Sequence, residues 1–156
     1  MTTLIPAHTT ERLAAVRELF TEYQQWLGFS LCFQGFDAEL AGLPGKYAPP
    51  AGRLYLAEHD GALAGCIALR PMVEEGFCEM KRLFVREAFR GHGIGRRLAE
   101  RIVADARGLG YRAMRLDTLQ RMESARSLYA SLGFAAVPAY YDNPMEEVVY
   151  MELALR

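Results

Sequence analysis

EMKRLFVREAFRGHGIGRRL, residues Glu79 to Leu98, joins a short apolar run to a basic, glycine-rich turn and then to a helical pattern. Leu83-Phe84-Val85 reads as the end of a strand, and Leu98, Ile102, Ala106 and Leu109 recur at helical spacing on one face beyond the turn. Between them, Arg90-Gly91-His92-Gly93-Ile94-Gly95 would present backbone N–H groups at a helix N-terminus. Unpaired donors and the positive end of the macrodipole favour a phosphate there. The stretch therefore reads as strand, anion cradle and helix.

Working outward, Asp60-Gly61 is the strongest short-range hairpin signal in the chain, and it joins the apolar runs Arg53–Asp60 and Ala62–Pro71 as adjacent antiparallel strands. Residues 76–86 follow as a third strand, completing a meander that would bring Cys66 and Cys78 near one another. On the helix after the turn, Arg96–Glu100 and Arg101–Asp105 are i,i+4 pairs, and Gly108 and Gly110 mark its end. Residues 112–118 read as the next strand, and the strand–helix–strand order makes it parallel to 76–86. Ala125, Leu128, Tyr129 and Leu132 mark another helix, stopped by Gly133. Phe134–Pro138 and Glu147–Leu155 are the last strands. At the start, residues 2–6 predict a short strand, and Leu13, Val16, Phe20, Tyr23 and Leu27 a helix capped by Thr9 or Thr10 and ended at Gly28. The segment Phe29–Pro50, with a short helical turn around Asp37–Ala41, is too apolar for an idle loop. It either walls a pocket or caps the core.

Composition bounds what this pattern can do. The chain's 156 residues fit one domain, 1–156, and 51% hydrophobic with 24% charged residues is a globular balance without a membrane-length apolar run. No secretory signal is visible, so the expected location is cytoplasmic. Cys32, Cys66 and Cys78 are odd in number and lack C-x-x-C spacing, which argues against a disulfide framework or zinc site; His8, His59 and His92 show no metal-ligand spacing. A net charge of −1 gives no global pull on nucleic acid, although Arg82, Arg86, Arg90, Arg96, Arg97 and Arg101 crowd around the opening stretch.

The glycine turn has three readings. It lacks the G-x-x-x-x-G-K-[ST] pattern of nucleotide hydrolases. A dinucleotide fingerprint fails at its third glycine, which is Arg96, and only one strand–helix–strand unit exists. The third reading fits: residues 90–95 match the [RQ]-x-x-G-x-[GA] signature, and Leu83-Phe84-Val85, Ile94–Leu98 and Ala125–Phe134 resemble successive motifs of the GCN5-related N-acetyltransferases. The resemblance is specific over residues 76–138. It implies an α+β (mixed α/β) fold, a mostly antiparallel mixed sheet of six to seven strands flanked by about four helices, with a splayed parallel pair at 76–86 and 112–118.

It also implies an acetyl-CoA-dependent N-acetyltransferase using no metal. The N–H groups of Arg90, Gly91, His92, Gly93, Ile94, Gly95 and Arg96 would hold the pyrophosphate, and the Leu83-Phe84-Val85 strand would use main-chain groups of Leu83 and Val85 to pair with the pantetheine amides. Tyr129 matches the tyrosine that protonates the departing thiolate, or is a buried helix tyrosine on the apolar face. Glu79 stands where one branch of the family has its general base, or pairs with Lys81 or Arg82 at the strand surface. Met122 departs from the family's asparagine, leaving Asp117, Thr118 or Gln120 as replacements for its polar contact. The acceptor, a small-molecule or peptide amine, would lie against Phe33, Phe36, Tyr140, Tyr141 and Asn143. Nucleic acid and membrane are not expected partners, and the family's final strands often pair between subunits, so a homodimer is compatible. The alternative function is a non-catalytic acyl-CoA-binding or regulatory module.

Overall fold

Asp60 (φ 51°) and Gly61 (φ 83°) both take the left-handed conformation that a two-residue type I′ turn requires, and this turn sets the sheet. The computed structural model describes residues 1–28, 31, 35–143 and 146–156, so Cys32 and Phe33 lie outside the described residues. Its strands are β1 (Thr2–Pro6), β2 (Arg53–His59), β3 (Ala62–Pro71), β4 (Phe77–Val85), β5 (Ala113–Leu119), β6 (Ala135–Val137) and β7 (Val148–Ala154). Its helices are α1 (Thr10–Leu27), α2 (Phe36–Ala41), α3 (Ile94–Gly108) and α4 (Glu123–Ser131), with 3₁₀ turns at Gly45–Tyr47 and Glu87–Phe89. The seven strands form one sheet in the order β1-β2-β3-β4-β5-β7-β6, antiparallel except for β4 beside β5. Strand number, helix number and the parallel pair agree with the α+β expectation, with boundaries shifted by a residue or so.

Two apolar clusters lie on the two faces of the sheet, as strand alternation demands. Tyr55 and Ala57 of β2, Ile67 and Leu69 of β3, and Met114 and Leu116 of β5 pack with α3 through Ile94, Leu98 and Ile102. Their neighbours Leu54, Leu56, Cys66 and Ala68 pack with Val16, Leu19 and Phe20 of α1 and with Phe36 and Tyr47. The cysteine expectation is corrected here: Cys66 pairs with Phe84 and Cys78 with Pro71, and the two thiols belong to opposite faces. Burial pushes both thiols up, that of Cys78 to about 12.

A bulge between β3 and β4 breaks the alternation. The β3–β4 register shifts between Cys66 and Ala68, and Arg82 sits at φ 59°, the mark of a bulge. Before it, Cys78 and Met80 face the α3 side; after it, Leu83 and Val85 do. Lys81 and Arg82 therefore both point to the α1–α2 side.

The parallel contact is short. β4 and β5 pair at Phe77 with Ala113, Cys78 with Met114 and Glu79 with Arg115, and no pairing follows although both strands continue. Close approach on the other flank of β4 is tight: a Cβ on Gly65 would stand 2.6 Å from the Phe84 carbonyl oxygen and 3.4 Å from the Val85 Cα. Gly65→Ala is expected to lower stability by about 1–3 kcal/mol in urea titration, as overpacking against immobile backbone does.

Candidate active site

The expected cradle lies between β4 and α3. Gly93 is the N-cap of α3 in the left-handed conformation (φ 74°), and no side chain caps this end of the helix. The first N–H groups of α3 are thus left to an external acceptor. The six arginines do not form one basic patch. Arg82 pairs with Glu39, Arg86 with Glu18 and Glu22, and Arg101 with Asp105, while Arg96 donates to Ser131 Oγ (2.7 Å) rather than meeting Glu100. Arg97 reaches the Thr2 carbonyl. Sequence neighbours on a helix diverge around its axis, and each guanidinium here finds its own partner. Of the other cradle residues, Ile94 is buried in the core, and the His92 ring stacks on His59 with centroids 4.7 Å apart.

Beyond the cradle, a groove of about 760 Å³ runs past Leu83, Phe84, Val85, Arg90, Gly95 and Leu128. The Arg86 N–H bonds to the Ala64 carbonyl, so by the antiparallel alternation the main-chain groups of Val85 point away from β3, toward the opening left by β5. Arg90 Nε donates to the Val85 carbonyl (3.1 Å), and its guanidinium lies over Trp26, 4.9 Å from the ring centroid. Trp26 is 48% exposed and lines both this groove and a cavity further in. Nothing in the sequence reading singled it out, because it lies off the apolar stripe of α1; a lone tryptophan outside that stripe was the available signal.

The inner cavity, about 110 Å³, occupies the opening between the diverging strands, with Lys81, Arg82, Asp117, Tyr129, Asn143 and Met122 on its walls. Tyr129 is 7% exposed and packs on Phe134 with centroids 5.8 Å apart; burial raises its pKa, so its hydroxyl remains a proton donor through the physiological range. Tyr129 is thus a buried helix tyrosine that borders the cavity. Met122 takes the N-cap position of α4, and the Thr118 hydroxyl turns to its sulfur (3.5 Å).

Glu79 is not at a surface. It is 2% exposed, and its carboxylate is held from several sides: Arg70 Nε and NH2 reach Oε1 at 2.9 and 2.8 Å, the Tyr140 hydroxyl donates to Oε2 at 2.6 Å, and Lys81 Nζ stands 3.9 Å away. Lys81 also lies 3.6 Å from Asp117, which accepts the Tyr141 hydroxyl at 2.5 Å; Asn143 donates to that same hydroxyl oxygen at 2.9 Å. Tyr140, Tyr141 and Tyr150 pack edge to face with centroids 5.1–5.5 Å apart. Three of the expected acceptor residues, Tyr140, Tyr141 and Asn143, are therefore brought together with Glu79. Phe36 is not: it is 1% exposed, in the core beneath the Arg82 guanidinium, so it caps the core rather than walling the cavity. Phe33 lies outside the described residues. Arg70 was missed, although a hairpin between β3 and β4 sets it opposite Glu79 in register.

Among the described residues, no group of three or more His, Cys, Asp or Glu side chains is placed to hold a metal ion, and no helix is long and apolar enough to cross a membrane.

These features are those of an acetyltransferase. Residues 13–134 match the acetyltransferase (GNAT) family, and the chain belongs to it. An uncharacterized N-acetyltransferase of Schizosaccharomyces pombe is 45% identical over 139 residues, covering 88% of this chain and 85% of the relative. The fold is shared with a Staphylococcus aureus acetyltransferase of the GNAT family (TM-score 0.82, 17% identity, all of both chains covered). It is shared too with a Salmonella typhimurium protein solved with its cofactor acetyl-CoA (TM-score 0.75, 20% identity, covering 99% of this chain and 94% of that one).

Burial holds the Lys81 ammonium below its ordinary pKa, with Asp117 and Glu79 pulling it partly back. Between the lowered value and the ordinary one, about 10.4, the unfolded chain keeps a proton that the folded chain has lost, so this group's contribution to stability rises with pH. The stability difference between wild type and Lys81→Met, followed by urea titration at increasing pH above neutrality, is expected to shift in favour of wild type by up to about 1.4 kcal/mol per pH unit in that window.

Proposed function

We propose that this protein is an acetyl-CoA-dependent N-acetyltransferase that moves an acetyl group to the primary amine of a small-molecule or peptide acceptor by direct attack. The observation that carries the reading is the divergence of β4 from β5, which opens Val85's main chain onto a groove and sets Tyr129, Lys81 and Asp117 around the cavity beside it. One sheet running through all seven strands supports reading residues 1–156 as one domain.

Acetyl-CoA supplies the activated acyl group as a thioester. Toward it, the uncapped N–H groups from Arg90 to Arg96 would hold the pyrophosphate, and main-chain groups of Leu83 and Val85 would take the pantetheine amides. Phe84, edge-on to Tyr23 and beside Trp26, backs that strand from the core side. Holding amine and acyl donor together removes the entropy of a bimolecular encounter. The Tyr129 hydroxyl donates a proton to the leaving sulfur.

Glu79 serves as base through Tyr140. Both carboxylate oxygens are engaged, so the acceptor's proton passes to the Tyr140 hydroxyl oxygen while that hydroxyl's own proton moves along the 2.6 Å bond to Glu79 Oε2. The amine itself sits near Tyr141, Asn143 and Asp117, the polar side of the cavity, where Asp117 offers the contact that Met122 lacks.

Calorimetry with acetyl-CoA, followed by an amine screen that reads release of free thiol, tests the proposal. Saturable binding with transfer supports it; binding without transfer to any amine supports the non-catalytic module instead, and absence of binding sinks both. Because Trp26 is the chain's one tryptophan and borders the groove, acetyl-CoA is expected to change its fluorescence saturably. Tyr129→Phe is expected to lower turnover about a hundredfold at saturating acetyl-CoA while leaving the fluorescence-derived Kd nearly unchanged. Unchanged turnover would remove Tyr129 from the acid role. Tyr140→Phe should reduce turnover in the same assay, since it cuts the path to Glu79.

A further inference from the structure

Of the chain's 18 lysine and arginine residues, two are lysines, Lys46 and Lys81, and they stand in opposite surroundings. Lys46 is exposed. Lys81 has a side chain 4% exposed, yet it borders the inner cavity on whose wall Tyr129 also lies. The acetyl transfer proposed above gives its nitrogen no part. A buried amine beside the space proposed for a thioester is a nucleophile already in place, since lysine gains reactivity when it is desolvated.

The two residues meet the cavity from opposite faces of the sheet. Tyr129 belongs to the cluster on the α3 side, whereas Lys81 points to the α1–α2 side, with Glu79 and Asp117. That is the side on which the acceptor amine is placed. Lys81 Nζ lies 3.6 Å from Asp117 Oδ1 and 3.9 Å from Glu79 Oε2, so a proton released from the nitrogen has an acceptor at hand. The charged groups facing it are these two carboxylates and the guanidinium groups of Arg82 and Arg70. Burial, the largest influence, together with the two arginines outweighs the carboxylates and holds the ammonium below its ordinary pKa. A cofactor seated in the cavity removes more solvent and pushes in the same direction.

Resting on the acetyl-transfer reading, we infer that Lys81 is a site of self-acetylation: when no acceptor amine is present, its Nζ attacks the thioester of acetyl-CoA held in the groove. The lone pair of the neutral nitrogen forms the N–C bond, and the C–S bond breaks. Tyr129 gives its proton to the departing sulfur, while the proton lost by the nitrogen passes to Asp117 and returns through water to Tyr129. The net products are Nε-acetyllysine and the CoA thiol. An amide is a poor acyl donor, so the product is a modification and not an intermediate of transfer. It removes the cation between Asp117 and Glu79 and puts an acetamide where the acceptor amine enters.

The test is intact-mass spectrometry and peptide mapping of the protein incubated with acetyl-CoA and no added amine, with Trp26 fluorescence read on the same samples. One acetyl group per chain, amide-linked and hence resistant to hydroxylamine, is expected on Lys81 at a rate that saturates in acetyl-CoA. Lys46 is the internal control for uncatalysed acetylation. Although it is the exposed lysine, its labelling should be at least about tenfold slower and linear in acetyl-CoA, because it lacks the held thioester. Excess CoA, competing for the groove, should suppress labelling of Lys81 and leave that of Lys46 in place. Tyr129→Phe should slow labelling of Lys81 alone, Lys46→Arg should leave it unchanged, and Lys81→Arg should abolish the saturable label. Bound acetyl-CoA with Lys81 unlabelled, or labelled no faster than Lys46 and without competition by CoA, overturns the inference while the acetyl-transfer reading stands. A saturable label that persists in Lys81→Arg overturns it as well. Trp26 fluorescence that never responds to acetyl-CoA, with Lys81 unlabelled, overturns both.

Discussion

The parallel contact between β4 and β5 lasts three residue pairs and then stops, and most of what is chemically distinctive in the molecule follows from that. On their other sides β5 is paired with β7 along its whole length, and β4 with β3 on both sides of the bulge. Neither can swing across to close the gap without giving up a ladder of hydrogen bonds. The bulge at Arg82 adds local twist to β4 just where the strands part. Main-chain donors and acceptors facing such a gap need partners, because buried polar backbone is costly when unmatched. At Val85 the partner is the Arg90 side chain, which bends back from the cradle to reach its carbonyl. The strand and the turn after it are thereby joined, and Arg90 carries the link on to Trp26, over which its guanidinium lies.

The same bulge organises the opposite face. By placing Lys81 and Arg82 side by side on the α1–α2 side, it loads a buried surface with two adjacent positive charges, and buried charges are tolerated only when paired. The pairs are all present. Arg82 takes Glu39 from α2, Lys81 lies between Asp117 and Glu79, and Arg70 takes Glu79 from β3. The floor of the site is consequently ionic yet nearly neutral, with its carboxylates fixed in position by several donors each. Such a floor orients polar groups without moving, which is what pre-organised chemistry requires.

Much of this was legible in the sequence, and the parts that were not share a cause. Asp60-Gly61 announced its hairpin because only a few residues tolerate two successive left-handed conformations; the cradle and α3 were legible because glycine punctuation met a clean helical period. Tyr140, Tyr141 and Asn143 were read as the acceptor side from their aromatic and polar turn, and Glu79 as a base from the family resemblance; the bond between Tyr140 and Glu79 was in neither reading. The bulge was invisible, since one extra residue in a strand leaves no compositional trace, and with it went the shared facing of Lys81 and Arg82. Trp26 and Arg70 were missed because the partners that give them a place in the site lie far away in the chain. Phe36 was misplaced for the same reason. An aromatic residue beside glycines looks alike whether it walls a pocket or seals a core, and only the covering Arg82 decides.

Arg70 holds Glu79 in place from the neighbouring strand. Through Nε and NH2 it fixes Glu79 Oε1, and the other oxygen of that carboxylate is left to Tyr140. A change that moves Arg70 therefore acts on Glu79 directly, and through Glu79 on the Tyr140 hydroxyl bonded to its other oxygen.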